Sequence, residues 1–180
     1  MFEKIFNKKT VLVTGHTGFI GGWLTTWLIF LGARVIGFAK DPHTNPSIFD
    51  INNLSKYIID IRGDITNIQE IKNIIEKYKP EFIFHLAAEA LVIPSYENPI
   101  NTINTNALGT LNILEAIHKS ESVKVFINFT SDKCYQNIED VNHAYTENDA
   151  LGGYDPYSAS KAMSEIITSC YRNSFFQDRD

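Results

Sequence analysis

Residues 10–22 read TVLVTGHTGFIGG, and no other stretch constrains the fold of this chain so strongly. TVLVT is β-branched or apolar throughout, which suits a strand buried on both faces. From Gly18 the apolar residues recur at helical spacing to Leu31, and Gly32 closes that helix as a C-cap. Gly15, Gly18 and Gly21 therefore form G-x-x-G-x-x-G between a strand and a helix. Gly15 allows a tight turn, Gly18 lets a pyrophosphate approach the backbone, and Gly21 permits close packing of helix on sheet. The helix N-terminus adds N–H groups and the positive end of its dipole. After a first strand, the pattern reads as a dinucleotide-binding turn.

The alternation then repeats. Strands are expected at RVIGFA (34–39), within KYIIDIRGD (56–64), at EFIFHLA (81–87) and at VKVFINFT (123–130). NIQEIKNIIEKYKP, NPINTINTNALGTLNILEAIHKS and DPYSASKAMSEIITSCYRNSF read as helices, the second a single long one and the third beginning at Pro156. Apolar strands alternating with helices imply a parallel sheet covered on both faces. Right-handed crossovers make it a doubly wound, Rossmann-like α/β sheet, with ligands at the carboxyl ends of the strands. Residues 40–55, with two prolines and several Asn, Asp and Ser, read as a surface excursion and not a domain linker. Residues 1–180 are thus expected to form one NAD(P)-binding domain.

Composition narrows the partners. A formal net charge of −5 argues against nucleic acid. WLTTWLIFLGARVIGFA is interrupted by Gly32 and Arg34 and makes no membrane span. The N-terminus shows no signal-peptide pattern, and Cys134 and Cys170 lie far apart without metal-ligand spacing. Two free thiols in a reducing cytoplasm, and no metal, are the expectation.

Two clusters carry candidate chemistry. At the carboxyl end of the fifth strand, TSDKCY places Ser131, Asp132 and Lys133 side by side, where such a sheet keeps its active site. At the start of the last helix, Tyr157 and Lys161 stand at i and i+4 on one face. A lysine ammonium beside a phenol favours the phenolate, which suits a base. At the end of strand two, the position of the usual ribose-binding acid is Ala39, followed by Lys40 and Asp41. Asp41 can reach a ribose and Lys40 can favour a 2′-phosphate, so the residues leave NAD and NADP both open.

Taken together, TGHTGFIGG, GDI (63–65), HLAA (85–88), TN followed by GT (105–110) and Y-x-x-x-K resemble the extended short-chain dehydrogenase/reductase superfamily. Within it, TSDKCY, LGGYDPYSASK and YRNSFF resemble the CDP-glucose 4,6-dehydratase family, over about Lys9 to Phe176. The resemblance implies a nucleotide-sugar substrate, NAD as cofactor and an internal redox reaction. Gly15, Thr17, Gly18, Phe19, Ile20 and Gly21 would line the pyrophosphate turn, Asp64 and Ile65 the adenine, and Leu86, Ala87 and Ala88 the cofactor cleft. Tyr157 would act as base on the sugar 4-hydroxyl, Lys161 would hold the nicotinamide ribose, and Ser131 would bind the 4-oxygen. Asp132 would protonate the leaving 6-hydroxyl. Lys133, where dTDP-glucose dehydratases carry Glu, would act as base at carbon 5 or stabilise the enolate. Asn106 is expected to tie backbone segments together, His85 to be a satisfied structural histidine, and Cys134 to be a packed thiol. Helices at 99–119 and 156–174 imply a homodimer.

Departures from the family pattern lie near the sugar site. HLAAEALVIPSY replaces a Gln-Pro by Glu89-Ala90 and puts Ile93 at the place of an arginine, and QNIEDVNHAYTEND lacks the usual tryptophans. The family also continues into further strands and a C-terminal nucleotide-sugar domain, which these 180 residues lack. Weak or absent turnover is therefore expected of this chain alone. A 4-epimerase or reductase of the same superfamily and a noncatalytic dinucleotide-binding module are the competing readings; the Asp132-Lys133 pair argues against the first and Ser131, Tyr157 and Lys161 against the second.

Overall fold

The computed structural model describes residues 3–140 and 142–177. Five parallel strands, β1 (Thr10–Thr14), β2 (Arg34–Ala39), β3 (Ile59–Arg62), β4 (Phe82–His85) and β5 (Val125–Asn128), form one sheet in the order β3-β2-β1-β4-β5. The order reverses between β1 and β4, so the switch point lies beside the glycine turn. In register, Thr14 stands beside Phe38 on one side and His85 on the other.

Alternate residues of each strand enter two cores. Leu12, Ile36, Phe38 and Ile83 pack with helices α4 (Ile68–Tyr78) and α7 (Gly109–His118) on one face. Val11, Val13, Val35 and Phe84 pack with Leu28 of α2 (Phe19–Phe30) on the other. Burying both faces is what a parallel strand requires, and each such side chain contributes about 1.5–3 kcal/mol. The order is completed by α1 (Glu3–Phe6), α3 (Ile48–Ile51), α5 (Val92–Glu97), α6 (Pro99–Ile103) and α8 (Pro156–Phe175).

Helix ends follow local chemistry. Asn67 caps α4 by accepting from Gln69 N, and Lys79 closes it in the left-handed region. Asp155 caps α8 by accepting from Ser158 N, with Pro156 at the first turn. Gly32 has φ +79°, as its expected place just past α2 requires.

Three local features differ from the sequence expectation. The excursion at 40–55 is partly folded: Ser47 caps α3, and Phe49 and Leu54 are buried. The segment VIPSYE, to which the sequence reading assigns no element, forms α5. The single long helix at 98–120 is interrupted, with a π-helical stretch, Asn104–Leu108, between α6 and α7. Thr110 donates to Asn106 O at that wide turn, and the Asn106 side chain bonds the Glu89 backbone, which periodicity does not report.

Candidate active site

The glycine turn is built for close approach. Gly15 has φ +73°, donates to Phe38 O at 2.9 Å, and a Cβ there would lie 2.7 Å from Ala87 N. A Cβ on Gly21 would lie 2.1 Å from Gly15 O, so neither position accepts a side chain. Gly18 is the N-cap of α2 and offers no side-chain acceptor, and the first turn carries no acidic residue. The N–H groups at that terminus are thus uncapped by side chains, which fits a dinucleotide pyrophosphate. Phe19 and Ile20 are exposed, whereas Thr17 is buried and its hydroxyl donates to Lys40 O at 3.0 Å. Thr17 thereby fastens the turn to the end of β2.

His16 lies behind this turn with no exposed surface. Its Nε2 meets Asp60 Oδ1 at 2.8 Å, and burial lowers its pKa against the pull of Asp60. Arg62 bonds Asp60 at 3.0 Å and Lys40 O at 3.1 Å. Lys40 Nζ pairs with Asp64 Oδ2 at 2.9 Å, bridging the ends of β2 and β3. Burial raises the Asp64 carboxyl, but bonds from Thr66 and Lys40 outweigh it and hold the pKa below its ordinary value. Ile65 is buried in the core against Gly109, so its backbone, not its side chain, is available to a ligand.

Leu86, Ala87 and Ala88 follow β4 and are half-buried beside Gly15. A buried polar relay holds them. Thr14 Oγ1 accepts from Leu86 N and Ala87 N at 3.2 Å each, which leaves its proton for His85 Nδ1 at 2.7 Å. Thr110 donates to Asn106 O at 2.7 Å, so it accepts from His85 Nε2 at 3.2 Å. Ser164 reaches Thr110 at 2.8 Å and accepts from Asn128 Nδ2 at 3.0 Å. His85 is therefore a satisfied neutral imidazole, its pKa driven to about 3 by burial and then by Lys161. Asn106 accepts from Glu89 N at 2.8 Å and donates to Glu89 O at 3.0 Å and Ser160 Oγ at 2.8 Å. The segment after β4 is thus pinned to α8 as expected.

Beyond β5, Ser131 caps a short 3-10 turn, Asp132–Cys134. Ser131 Oγ donates to Asp132 Oδ1 at 3.0 Å and accepts from Lys133 N at 3.2 Å. Asp132 and Lys133 are exposed, and Cys134 is buried at 3% with its thiol pushed up by burial. A base needs the neutral amine, which burial favours, and Lys133 is not buried. On α8, Tyr157 and Lys161 are buried, at 9% and 6% exposure. Lys161 Nζ donates to Phe129 O at 3.2 Å, which places the helix lysine against the strand that leads to Ser131. Burial lowers its pKa to about 8, with Glu165 opposing.

The sequence reading missed two positioning contacts. Ser95 of α5 accepts from Tyr157 N at 3.2 Å and so seats the first turn of α8. Thr130 donates to Glu165, one turn beyond Lys161. The i+4 spacing of Lys161 and Glu165 was a usable signal for the second; nothing in VIPSYE announced the first. Glu89 accepts from Asn101 at 3.0 Å, and Ile93, on α5 itself, is 78% exposed and presents an apolar side chain to solvent.

All these groups meet at the carboxyl edge of the sheet: a glycine turn on β1, a polar pair on β2 and β3, a cleft wall on β4, and a Ser-Asp-Lys turn after β5. Comparison with known proteins agrees with that arrangement. The CDP-glucose 4,6-dehydratase of Salmonella typhimurium (strain LT2) is 48% identical over 177 residues, covering 98% of this chain and 49% of the relative. The chain spans about half the length of the curated relatives it matches. The crystal structure of UDP-glucose 4-epimerase with UDP-glucose from Thermotoga maritima superposes with a TM-score of 0.82 at 28% identity, covering 93% of this chain and 52% of that one. That of the Thermus thermophilus UDP-glucose 4-epimerase complexed with NAD gives 0.81 at 28% identity, covering 93% and 52%. The family model for GDP-mannose 4,6 dehydratase matches residues 12–177, and the chain belongs to that family.

Proposed function

We propose that the chain is the dinucleotide-binding domain of a nucleotide-sugar 4,6-dehydratase that converts CDP-glucose to CDP-4-keto-6-deoxyglucose with loss of water. The observation that carries this reading is the Ser131-Asp132-Lys133 turn, joined to the helix of Tyr157 and Lys161 through the bond from Lys161 Nζ to Phe129 O. Gly15, Gly18, Phe19, Ile20 and Gly21 would hold a pyrophosphate, Asp64 and the Ile65 backbone the adenosine end, and Leu86, Ala87 and Ala88 the cleft wall. NAD is the cofactor proposed; when bound it would supply a reversible hydride acceptor for the sugar, so none would be consumed overall.

The residues of the chain do the rest. Ser131 donates to the 4-oxygen, and Tyr157 takes the proton of the 4-hydroxyl. Lys161 binds the nicotinamide ribose. The 4-keto group acidifies carbon 5, whose proton passes to solvent water at this exposed turn while Lys133, as an ammonium, stabilises the enolate charge. Asp132 gives its proton to the 6-hydroxyl, which leaves as water, and carbon 5 regains a proton from solvent once hydride has reached carbon 6. An epimerase needs no elimination acid, which is why Asp132-Lys133 favours the dehydratase.

Remote contacts to the nucleotide position a sugar for reaction, and the chain spans about half the length of the relative it matches. Weak turnover by these residues alone is the expectation. A homodimer through α6, α7 and α8 is proposed, supported by exposed Ile100, Leu108, Met163 and Ile166; light scattering tests it. Among the described residues no helix is long and apolar enough to cross a membrane. A cytoplasmic location is proposed from the two unpaired thiols.

The deciding experiment incubates the protein with CDP-glucose and NAD and follows product mass. Loss of one water is expected, at a low rate. Isomerisation without mass change overturns the dehydratase in favour of the epimerase, and robust turnover overturns the claim of weak activity.

A further inference from the structure

Glu165 has no part in the mechanism above, yet it stands where the two halves of the candidate site meet. It lies half-buried on α8, one turn beyond Lys161, and accepts a hydrogen bond from Thr130, the residue immediately before Ser131. Lys161 reaches the same segment one residue earlier, at Phe129 O, 3.2 Å away. Two successive residues of the strand end are thus held by two successive turns of one helix.

We propose that Glu165 is a positioning residue. Its carboxylate ties the strand end bearing Ser131, Asp132 and Lys133 to the helix bearing Tyr157 and Lys161, and it stands one helical turn from Lys161. The proposal rests on the reading of that site as the one that binds the cofactor ribose and the sugar.

The geometry assigns both parts. A β5 end that slid along α8 would change the spacing between the Ser131 hydroxyl and the Tyr157 phenol, and the Thr130–Glu165 and Phe129–Lys161 bonds together oppose that slide. The charge argument follows from the groups that act on Lys161: Glu165 from its own helix and His85 from β4. His85 is uncharged in its satisfied tautomer. Burial works against the ammonium, and Glu165 works for it.

The test follows Lys161 directly. In protein labelled with ¹³C-lysine, the Cε resonance that vanishes in Lys161→Arg is titrated by NMR. A midpoint of about 8 is expected in the unmodified chain. Glu165→Gln, an isostere without charge, is expected to lower it by about one unit, and Glu165→Asp by clearly less. A residue that only fills space gives the opposite order, because Gln replaces Glu more closely than Asp does. An unchanged midpoint in Glu165→Gln, or a larger fall in Glu165→Asp, overturns the proposal. A second measurement needs no variant at residue 165: with ¹³C-glutamate, Glu165 Cδ should show a step at the Lys161 midpoint, and a flat profile there also overturns it. Both readouts are independent of turnover. If CDP-glucose loses no water while the midpoint shifts as stated, the dehydratase reading fails and the role of Glu165 stands.

Discussion

Replacing His85 by glutamine should change the acid stability of the protein more than its stability at neutral pH. His85 is 2% exposed, with both ring nitrogens bonded, and burial sets its folded pKa at about 3 against an ordinary 6.5. A base whose folded pKa is depressed contributes stability that is present above its unfolded pKa. That contribution is lost as pH falls, because the unfolded chain takes up the proton and the folded chain does not. At pH 5 an unfolded imidazole is protonated in all but a few per cent of molecules, and the loss relative to pH 7 is about 2 kcal/mol. The figure holds for any folded pKa of about 4 or below. Glutamine does not titrate. It reproduces one of the two ring bonds at best, leaving a buried hydroxyl of Thr14 or Thr110 short of a partner, at a cost of about 1–3 kcal/mol at pH 7. The gap between the two proteins should then narrow by about 2 kcal/mol at pH 5, which leaves the variant within about 1 kcal/mol of the original there. His16 is shifted in the same direction but is present in both proteins, so it cancels in the difference. Urea unfolding followed by circular dichroism at pH 7 and pH 5, extrapolated to water, measures the gap. A gap of equal size at both pH values refutes the neutral buried imidazole and the relay drawn through it.

Gly21→Ala should abolish NAD binding in calorimetry and destabilise the fold by about 1–3 kcal/mol, because the added Cβ lies 2.1 Å from Gly15 O on rigid backbone. Unchanged NAD affinity would show that the turn does not approach the cofactor. Lys133→Met should leave NAD binding within about twofold, since the side chain is exposed beyond β5, while release of water from CDP-glucose disappears. Full turnover in that variant would remove Lys133 from the chemistry.

Much of this protein was readable from residue order. The strand-glycine-helix passage at 10–22, the apolar runs of five strands and the Asp155-Pro156 start of α8 are local signals, because buried parallel strands and helix caps depend on near neighbours. Spacing also brought Tyr157 to Lys161, and the strand-end rule placed Ser131, Asp132 and Lys133 on the functional edge. The tertiary structure decided what those residues touch. It spent the Thr17 hydroxyl on Lys40 O, put the Ile65 side chain into the core, left Lys133 in solvent, broke the long helix at Asn104–Leu108 and formed α5 so that Ser95 could seat Tyr157. These outcomes depend on partners far away in the chain: Thr14, His85, Thr110 and Ser164 make one relay only after β1, β4, α7 and α8 have packed. Periodicity shows which face of an element is buried, whereas hydrogen-bond partners and burial depth are set by the neighbour that the fold brings to that face.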